Sequence, residues 1–492
     1  MEIRINSKDC TGSHAAEVLR KNWNKAKEDS ARPRYHFCPM AGWMNDPNGA
    51  IYENGTFHFF YLQDPFDASG FSEAVLEDGT VVVGTDKPNR FWAHARTKEF
   101  REWDYLPVAL EPDRVSGEIK PISGSVIRRQ DGSYFMAFTS VRRESKRYCQ
   151  WGAISKDGLM TWTRTKEELM QPPEDITIEG DWRDPYLFRY GSRNYMAVSG
   201  VTDEDALILL YEAEDEILDK WKYRGILFSR KRTETTFFEC PKILTLGEKM
   251  VILYSPFKQV EYITGRFQEK TGKFLEERRG YVDYGRIAYA SVDVQDEKGD
   301  YYLLSWAPGW FSQKKFPFKN WSGCIATPRK IGLDSQGRLI QRPCTQMDNL
   351  RQKKILLEKV TEREWMAQKL PLQLEINIIL SSLPEGKAEL EFLDSETGRC
   401  IQRLTYENSE FEVDGEKIKI DSQTIDIHCY CDGFLCEYFL DEGRGVITSG
   451  VEQIPEKMDV CLKFQNSLDA EKCCVQAELW KIIDAKFRDC ML

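Results

Sequence analysis

Between about residues 35 and 345 the apolar positions fall in short runs rich in Val, Ile, Tyr and Phe, broken by Gly, Asp and Asn. That is the pattern of half-buried strands joined by tight turns. Five turns form a series, at Asn54-Gly55, Asp131-Gly132, Gly191-Ser192, Gly247-Glu248 and Lys298-Gly299, spaced 52 to 77 residues apart. Each joins two strand-like runs; Tyr134-Phe135-Met136-Ala137-Phe138 follows the second turn and Met250-Val251-Ile252-Leu253-Tyr254 the fourth. One four-stranded sheet fits each interval, which predicts five blades of a β-propeller over residues 32–350. Ahead of it, residues 1–31 contain an Ala-, Lys- and Glu-rich stretch from about 13 to 29 that predicts one helix, ended by Arg32-Pro33-Arg34. Past it, residues 351–369 are charged and read as a linker with a short helix. Over residues 370–492 the alternation resumes, as in Leu374-Glu375-Ile376-Asn377-Ile378 and Val460-Cys461-Leu462-Lys463-Phe464, and predicts a β-sandwich. The expected fold class is all-β: a five-bladed propeller followed by a C-terminal sandwich, with a short N-terminal helix.

Composition then narrows the function classes. A net charge of −11 over 492 residues argues against a nucleic-acid or anionic-membrane partner. No stretch is long and apolar enough to span a membrane, and Met1-Glu2-Ile3-Arg4-Ile5-Asn6 lacks the apolar run of an export signal. Fourteen Cys in that setting point to reduced thiols and a cytoplasmic protein. With five His, no H-E-x-x-H and no repeated C-x-x-C, neither a metal nor another cofactor is expected. The 13 Trp, 21 Tyr and 26 Phe suit sugar stacking, although a large β core accounts for most of them.

The chemistry concentrates in three acidic residues. Asp46 lies in Trp43-Met44-Asn45-Asp46-Pro47-Asn48-Gly49, Asp184 in Trp182-Arg183-Asp184-Pro185, and Glu239 in Phe237-Phe238-Glu239-Cys240-Pro241. Each precedes one of the five turns by seven to nine residues, and Ser123-Gly124 precedes another by a similar interval. If each hairpin opens a blade, these residues hold equivalent places on the innermost strands and converge at one mouth of the central channel. Carboxylates so arranged meet the needs of glycosidic-bond cleavage, in which one is the nucleophile, one donates a proton and a third orients the sugar.

These motifs, in this order, resemble glycoside hydrolase family 32, the invertase and fructanase family, from about Arg32 to the C-terminus. Tyr35-His36-Phe37 leads into the Asp46 block. His58-Phe59-Phe60-Tyr61, Trp92-Ala93-His94-Ala95, Ser123-Gly124-Ser125, Arg183-Asp184-Pro185, Glu239-Cys240, Pro328-Arg329 and Gly337-Arg338-Leu339-Ile340-Gln341-Arg342-Pro343 follow at similar spacing. The resemblance implies that Asp46 is the nucleophile, Glu239 the general acid/base, and Asp184 a residue that binds fructose hydroxyls and stabilises the transition state. Arg183 is implied as an anchor by charge-assisted hydrogen bonds, with a structural ion pair as its alternative. Asn45, Ser123, Tyr289 and Trp306 complete the candidate substrate-binding set. Burial and neighbouring negative charge should raise the pKa of Glu239, and hydrogen bonds should lower that of Asp46.

The chain departs from the family pattern where the fructose ring should bind. Leu62 stands where Gln is usual, and Gln63 comes one residue later, so it faces the other side unless a bulge intervenes. The family's Trp after N-P is not evident; residues 66–90 form an insertion with a predicted hairpin around Val75 to Val83. Ile287, Ser291 and Val292 stand where Asp, Pro and Gln are common. The expected substrate is a small carbohydrate: sucrose, sucrose 6-phosphate or a short fructo-oligosaccharide, hydrolysed with release of fructose. The alternatives are fructosyl transfer, cleavage of an unusual fructose disaccharide or difructose anhydride, and a non-catalytic carbohydrate-binding role. The sandwich offers an edge or a face for a homo-oligomer.

Overall fold

The computed structural model describes residues 11–68, 73–75, 81–83, 90–142, 145, 147–308, 315–316, 318–381, 386–420, 424–465 and 474–491. Five antiparallel sheets open with the strands Gly42–Glu53, Glu118–Arg128, Trp182–Tyr190, Glu239–Leu246 and Tyr289–Gln295. We number them blades I to V. Each opening strand contacts the opening strands of the blades on either side, so the five line a closed ring. The five turns read from the sequence are the hairpins between the first and second strands, pairing Glu53 with Thr56, Arg128 with Tyr134, Tyr190 with Arg193, Leu246 with Lys249 and Gln295 with Tyr301. Helix Gly12–Lys27 is capped by Thr11, whose side chain accepts from His14 N.

Blade I is extended on both sides. Trp321–Ser322 adds in parallel to its first strand, and Lys486–Asp489 adds in parallel to its outer strand, pairing Phe487 with Trp103. The last described strand therefore belongs to the propeller and not to the sandwich, whose expected range ran to the C-terminus. The apolar Phe487 ring explains this, because it stacks on Tyr105 with ring centres 5.8 Å apart.

The sandwich has a six-stranded and a seven-stranded sheet around one apolar core. Its first strands, Arg351–Ile355, Glu358–Thr361 and Glu364–Leu370, occupy the segment expected to be a linker with a short helix. The first two are edge strands exposed over most of their length and the third is half-buried beside an edge, so their charged residues reach water and conceal the alternation. In the 66–90 insertion, Glu73–Val75 pairs antiparallel with Val81–Val83, as the predicted hairpin requires.

A buried ionic network joins propeller to sandwich. Asp432 accepts from the backbone N–H groups of Arg34, Tyr35 and His36 at 2.7, 2.8 and 3.0 Å. The His36 ring lies 2.9 Å from both Asp432 Oδ2 and Glu437 Oε2. Arg329 donates to Asp283 at 2.8 Å and to Glu437 at 3.3 Å, while Thr448 Oγ1 donates to Asp283 at 2.6 Å. Burial alone would lower the His36 pKa, but the hydrogen bonds and charges of its two carboxylate partners raise it to about 9.

A raised histidine pKa stabilises the fold fully below the unfolded value, and this contribution is lost as pH rises through the folded one. Thermal melts of the native protein should therefore lose, between about pH 6.5 and pH 9, stability of the order of 3 kcal/mol. His36→Gln should be less stable at neutral pH and should lack that decline; an unchanged decline would show that it arises elsewhere.

Candidate active site

The innermost strands share one irregularity. Each carries an extra residue relative to its partner: between Met44 and Pro47, Ile122 and Gly124, Arg183 and Tyr186, Glu239 and Lys242, and Tyr289 and Val292. These are β-bulges, which lift one residue out of the ladder and re-aim its neighbours. Local sequence favours them. Pro47, Pro185 and Pro241 supply no ladder N–H, and a side chain at Gly124 would run into the Ala137 carbonyl. Asp184, Cys240 and Ala290 take positive φ values of 64°, 50° and 46° at equivalent places.

The bulges correct the register inferred from the sequence. Asp184 and Cys240 are equivalent, each just ahead of its Pro and at positive φ, whereas the ladder sets Asp46 one place further on, level with Pro185 and Pro241. Glu239 stands one residue earlier than Asp184, level with Met44, Arg183 and Tyr289. Hairpin spacing alone does not reveal this offset.

In blades I, III, IV and V the bulge frees a backbone N–H that a side-chain oxygen accepts. Asp46 N donates to Asn45 Oδ1, Asp184 N to Thr139 Oγ1 at 3.0 Å, Cys240 N to Asp184 Oδ2 at 2.9 Å, and Ala290 N to Ser255 Oγ at 3.2 Å. The last three bonds reach back to the preceding blade, so they orient the site and tie the ring together. Ser123 Oγ donates to Asp46 Oδ2 at 3.0 Å, and Cys240 Sγ lies 3.7 Å from the same oxygen. Arg183 Nη2 donates to Glu239 Oε1 at 3.0 Å, its Nε is 3.7 Å from Asp184 Oδ2, and its Nη1 bonds Asp181. Arg183 thus makes a charge-assisted hydrogen bond to Glu239 and ion pairs with Asp181 and Asp184 from one side chain. Tyr289 Oη lies 2.6 Å from Glu239 Oε2, as donor, and accepts from Phe257 N at 3.2 Å.

Of the candidate residues, Asp46, Asp184, Glu239, Arg183, Ser123, Asn45 and Tyr289 form one hydrogen-bonded or ion-paired cluster. Trp306 pairs with Tyr289 across blade V and packs edge-on against Trp43, ring centres 6.4 Å apart, inside a core formed mainly by blades IV and V. Leu62 is buried among Phe60, Trp92 and Met136. Gln63 points the other way and donates to the Ala41 carbonyl at 3.0 Å. No bulge interrupts its pairing with the strand Phe91–Thr97, so it does not take the place of the missing Gln.

Two cations near the acids were not foreseen. Lys242 is buried, with Nζ 5.4 Å from the centre of the Tyr186 ring, and its charge acts on Asp46 and Asp184. Arg90 is buried against Trp43, and its charge acts on Asp46 and Glu239. Lys242 lies three residues past Glu239, and a charged residue at the start of a central strand was the available signal. Arg90 ends a polar insertion and carries none.

Burial is the largest influence on every carboxyl here. It raises Glu239 to about 7, against the pull of Arg183, with Asp46 and Asp184 adding to the rise and the Tyr289 hydrogen bond opposing it. Burial also raises Asp46 to about 6, helped by Asp184 and opposed by Arg90, the Ser123 hydrogen bond and Lys242. The expected lowering of Asp46 is therefore reversed, because desolvation outweighs its hydrogen bond. Asp184 is raised by burial and held back by Arg183 and the Cys240 N–H. Burial thus raises both carboxyls, and a raised pKa at Glu239 is what a proton donor near neutral pH needs.

The model of the glycosyl hydrolases family 32 N-terminal domain matches residues 36–75 and 79–343. The sucrose-6-phosphate hydrolase of Escherichia coli is 24% identical over 486 residues, spanning 91% of this chain and 95% of its own. Among solved structures, the Bombyx mori GH32 beta-fructofuranosidase BmSUC1 has a TM-score of 0.79 at 22% identity, covering 96% of this chain and 98% of that one. The sucrose-6-phosphate hydrolase from Lactobacillus gasseri has a TM-score of 0.79 at 21% identity, covering 96% and 99%. The two structural likenesses establish the fold.

Because the Tyr289 hydroxyl stabilises the charged form of Glu239, Tyr289→Phe should raise the Glu239 pKa. Difference infrared titration of the carboxyl band, assigned with Glu239→Gln, should show protonation persisting to higher pH. A fall in that pKa would contradict the assignment of Tyr289 as donor.

Proposed function

Since the chain belongs to glycoside hydrolase family 32, we propose that it is a retaining β-fructofuranosidase in which Asp46 is the nucleophile and Glu239 the acid/base. The observation that carries the reading is geometric: innermost strands of different blades bring Asp46 and Glu239 into one buried cluster, with Ser123 donating to Asp46 and Arg183 and Tyr289 donating to Glu239.

In the first step an Asp46 oxygen bonds to the anomeric carbon of the fructosyl unit as the bond to the leaving oxygen breaks. Glu239 gives its proton to that oxygen, and the fructosyl group is left as an ester of Asp46. The carboxylate formed at Glu239 meets donors already in place, Arg183 on Oε1 and Tyr289 on Oε2. Glu239 then takes a proton from water, whose oxygen attacks the anomeric carbon and releases fructose and free Asp46. Asp184, fixed by Cys240 N, binds fructose hydroxyls and supports positive charge developing on the sugar ring. Asn45 and Ser123 hold the nucleophile's backbone and carboxylate.

Sucrose, sucrose 6-phosphate and short fructo-oligosaccharides are the proposed substrates. Support comes from the relative named as a sucrose-6-phosphate hydrolase and from solved neighbours in complex with sucrose and 1-kestose. The reading places the protein in the cytoplasm, where the eleven described free cysteines would stay reduced.

The test is fructose release from sucrose, sucrose 6-phosphate, 1-kestose, inulobiose and a difructose anhydride. At least one should be cleaved, with the β-anomer of fructofuranose appearing first by NMR. Glu239→Gln should lower kcat by about 10²–10⁴-fold on these substrates and much less on β-fructosyl fluoride, whose leaving group needs no proton. Asp46→Asn should be inactive on both. No fructose from any β-fructofuranoside would overturn the proposal.

A further inference from the structure

The wall of blade I that carries Asp46 lacks a polar donor where Leu62 is buried in the core and Gln63 is committed to the Ala41 carbonyl. Arg90 stands close by. Trp43 pairs with Asp64, and Gln63 with Phe91, so Trp43, Asp64 and Arg90 form a row across three adjacent strands at one end of the blade. The Arg90 side chain reaches back over the middle strand to the innermost one, where its guanidinium carbon lies 5.2 Å from the centre of the Trp43 ring. Trp43 is three residues from Asp46. Arg90 is only 7% exposed, and its Nε is buried with no hydrogen-bond partner among the described residues.

A buried guanidinium N–H without an acceptor is costly, and such a group persists where something else supplies the acceptor. The charges of Asp46, Asp64 and Glu239 act on it, so the cation lies within electrostatic reach of both reacting groups. Stacking on Trp43 holds the planar fork in one orientation. The geometry points to Arg90 as a substrate-binding residue that donates to a hydroxyl of the fructosyl unit seated on Asp46, in place of the amide donor missing at Leu62. This rests on the reading of the Asp46 pocket as a fructosyl site. It makes the end of the 66–90 insertion part of that site, so the insertion alters how the sugar is held.

The probe is β-fructosyl fluoride, which presents the fructosyl unit with no leaving sugar, together with analogues that each lack one fructosyl hydroxyl. Arg90→Met should lower kcat/KM on the parent fluoride by about 10–100-fold, the range of one charge-assisted hydrogen bond. One deoxy analogue should show a similar loss with the native protein and no further loss with Arg90→Met. Arg90→Lys, which keeps the charge but not the fork, should recover only part of the activity. Melting curves identify any variant that fails to fold, and Arg90→Gln then replaces it in the cycle. Losses that multiply on every analogue, or full activity of Arg90→Met, would overturn the assignment of Arg90 alone. A native protein that releases no fluoride above the blank would overturn the fructosyl reading itself, and this assignment with it.

Discussion

One extra residue in the first strand of every blade is the constraint on which the site depends. A regular ladder would aim alternate N–H groups of these strands at the second strand, and alternate side chains would face alternate sides. The bulge interrupts both rules at the same height in five blades. It leaves an N–H for Asn45, Thr139, Asp184 and Ser255 to accept, and three of those four bonds cross from one blade to the next. Asp184 is the link common to both purposes, since it closes the ring between blades III and IV and presents a carboxylate to the channel.

Burial sets the second condition. Three carboxylates removed from water repel one another, and each would take up a proton if left alone. Arg183, Arg90 and Lys242 oppose this from different sides: Arg183 ion-pairs with Asp184 and Glu239, Arg90 leans on Trp43, and Lys242 lies over Tyr186. The balance is unequal. Asp46 feels Arg90, Lys242 and a hydrogen bond from Ser123 against the charge of Asp184, whereas Glu239 feels Arg183 and a hydrogen bond from Tyr289 against the charges of both Asp46 and Asp184. A division of labour between chemically similar groups follows from position alone.

Much of this was legible in the chain because tight turns and catalytic motifs are local. Asn54-Gly55 and Asp131-Gly132 announce hairpins by their φ requirements, and Gly55 and Gly132 adopt φ of 79° and 83°. The Asp46, Asp184 and Glu239 motifs carry their own prolines. What escaped was set by distant parts of the chain. Arg351–Ile355 is charged because its neighbour Cys474–Ile482 covers only one edge, and no local pattern reports that. Phe487 looks like a sandwich residue until Tyr105 and Trp103 are placed beside it. The one-residue offset of Glu239 arises from pairing with Ser255, and the raised pKa of Asp46 from a depth of burial that composition does not contain.

The parallel strand Lys486–Asp489 has a consequence for how the chain is made. Of the five blades, blade I is the first to leave the ribosome, yet Arg488 meets its partner Asp104 across 384 residues. The Trp321–Ser322 strand reaches the inner side of the same blade only after blades II, III and IV have been synthesised. Blade I must therefore wait, with both edges open, through most of translation. Such edges are sites of wrong pairing, and long-range closure is slow. The earliest of the five blades is thus the last of them to be completed.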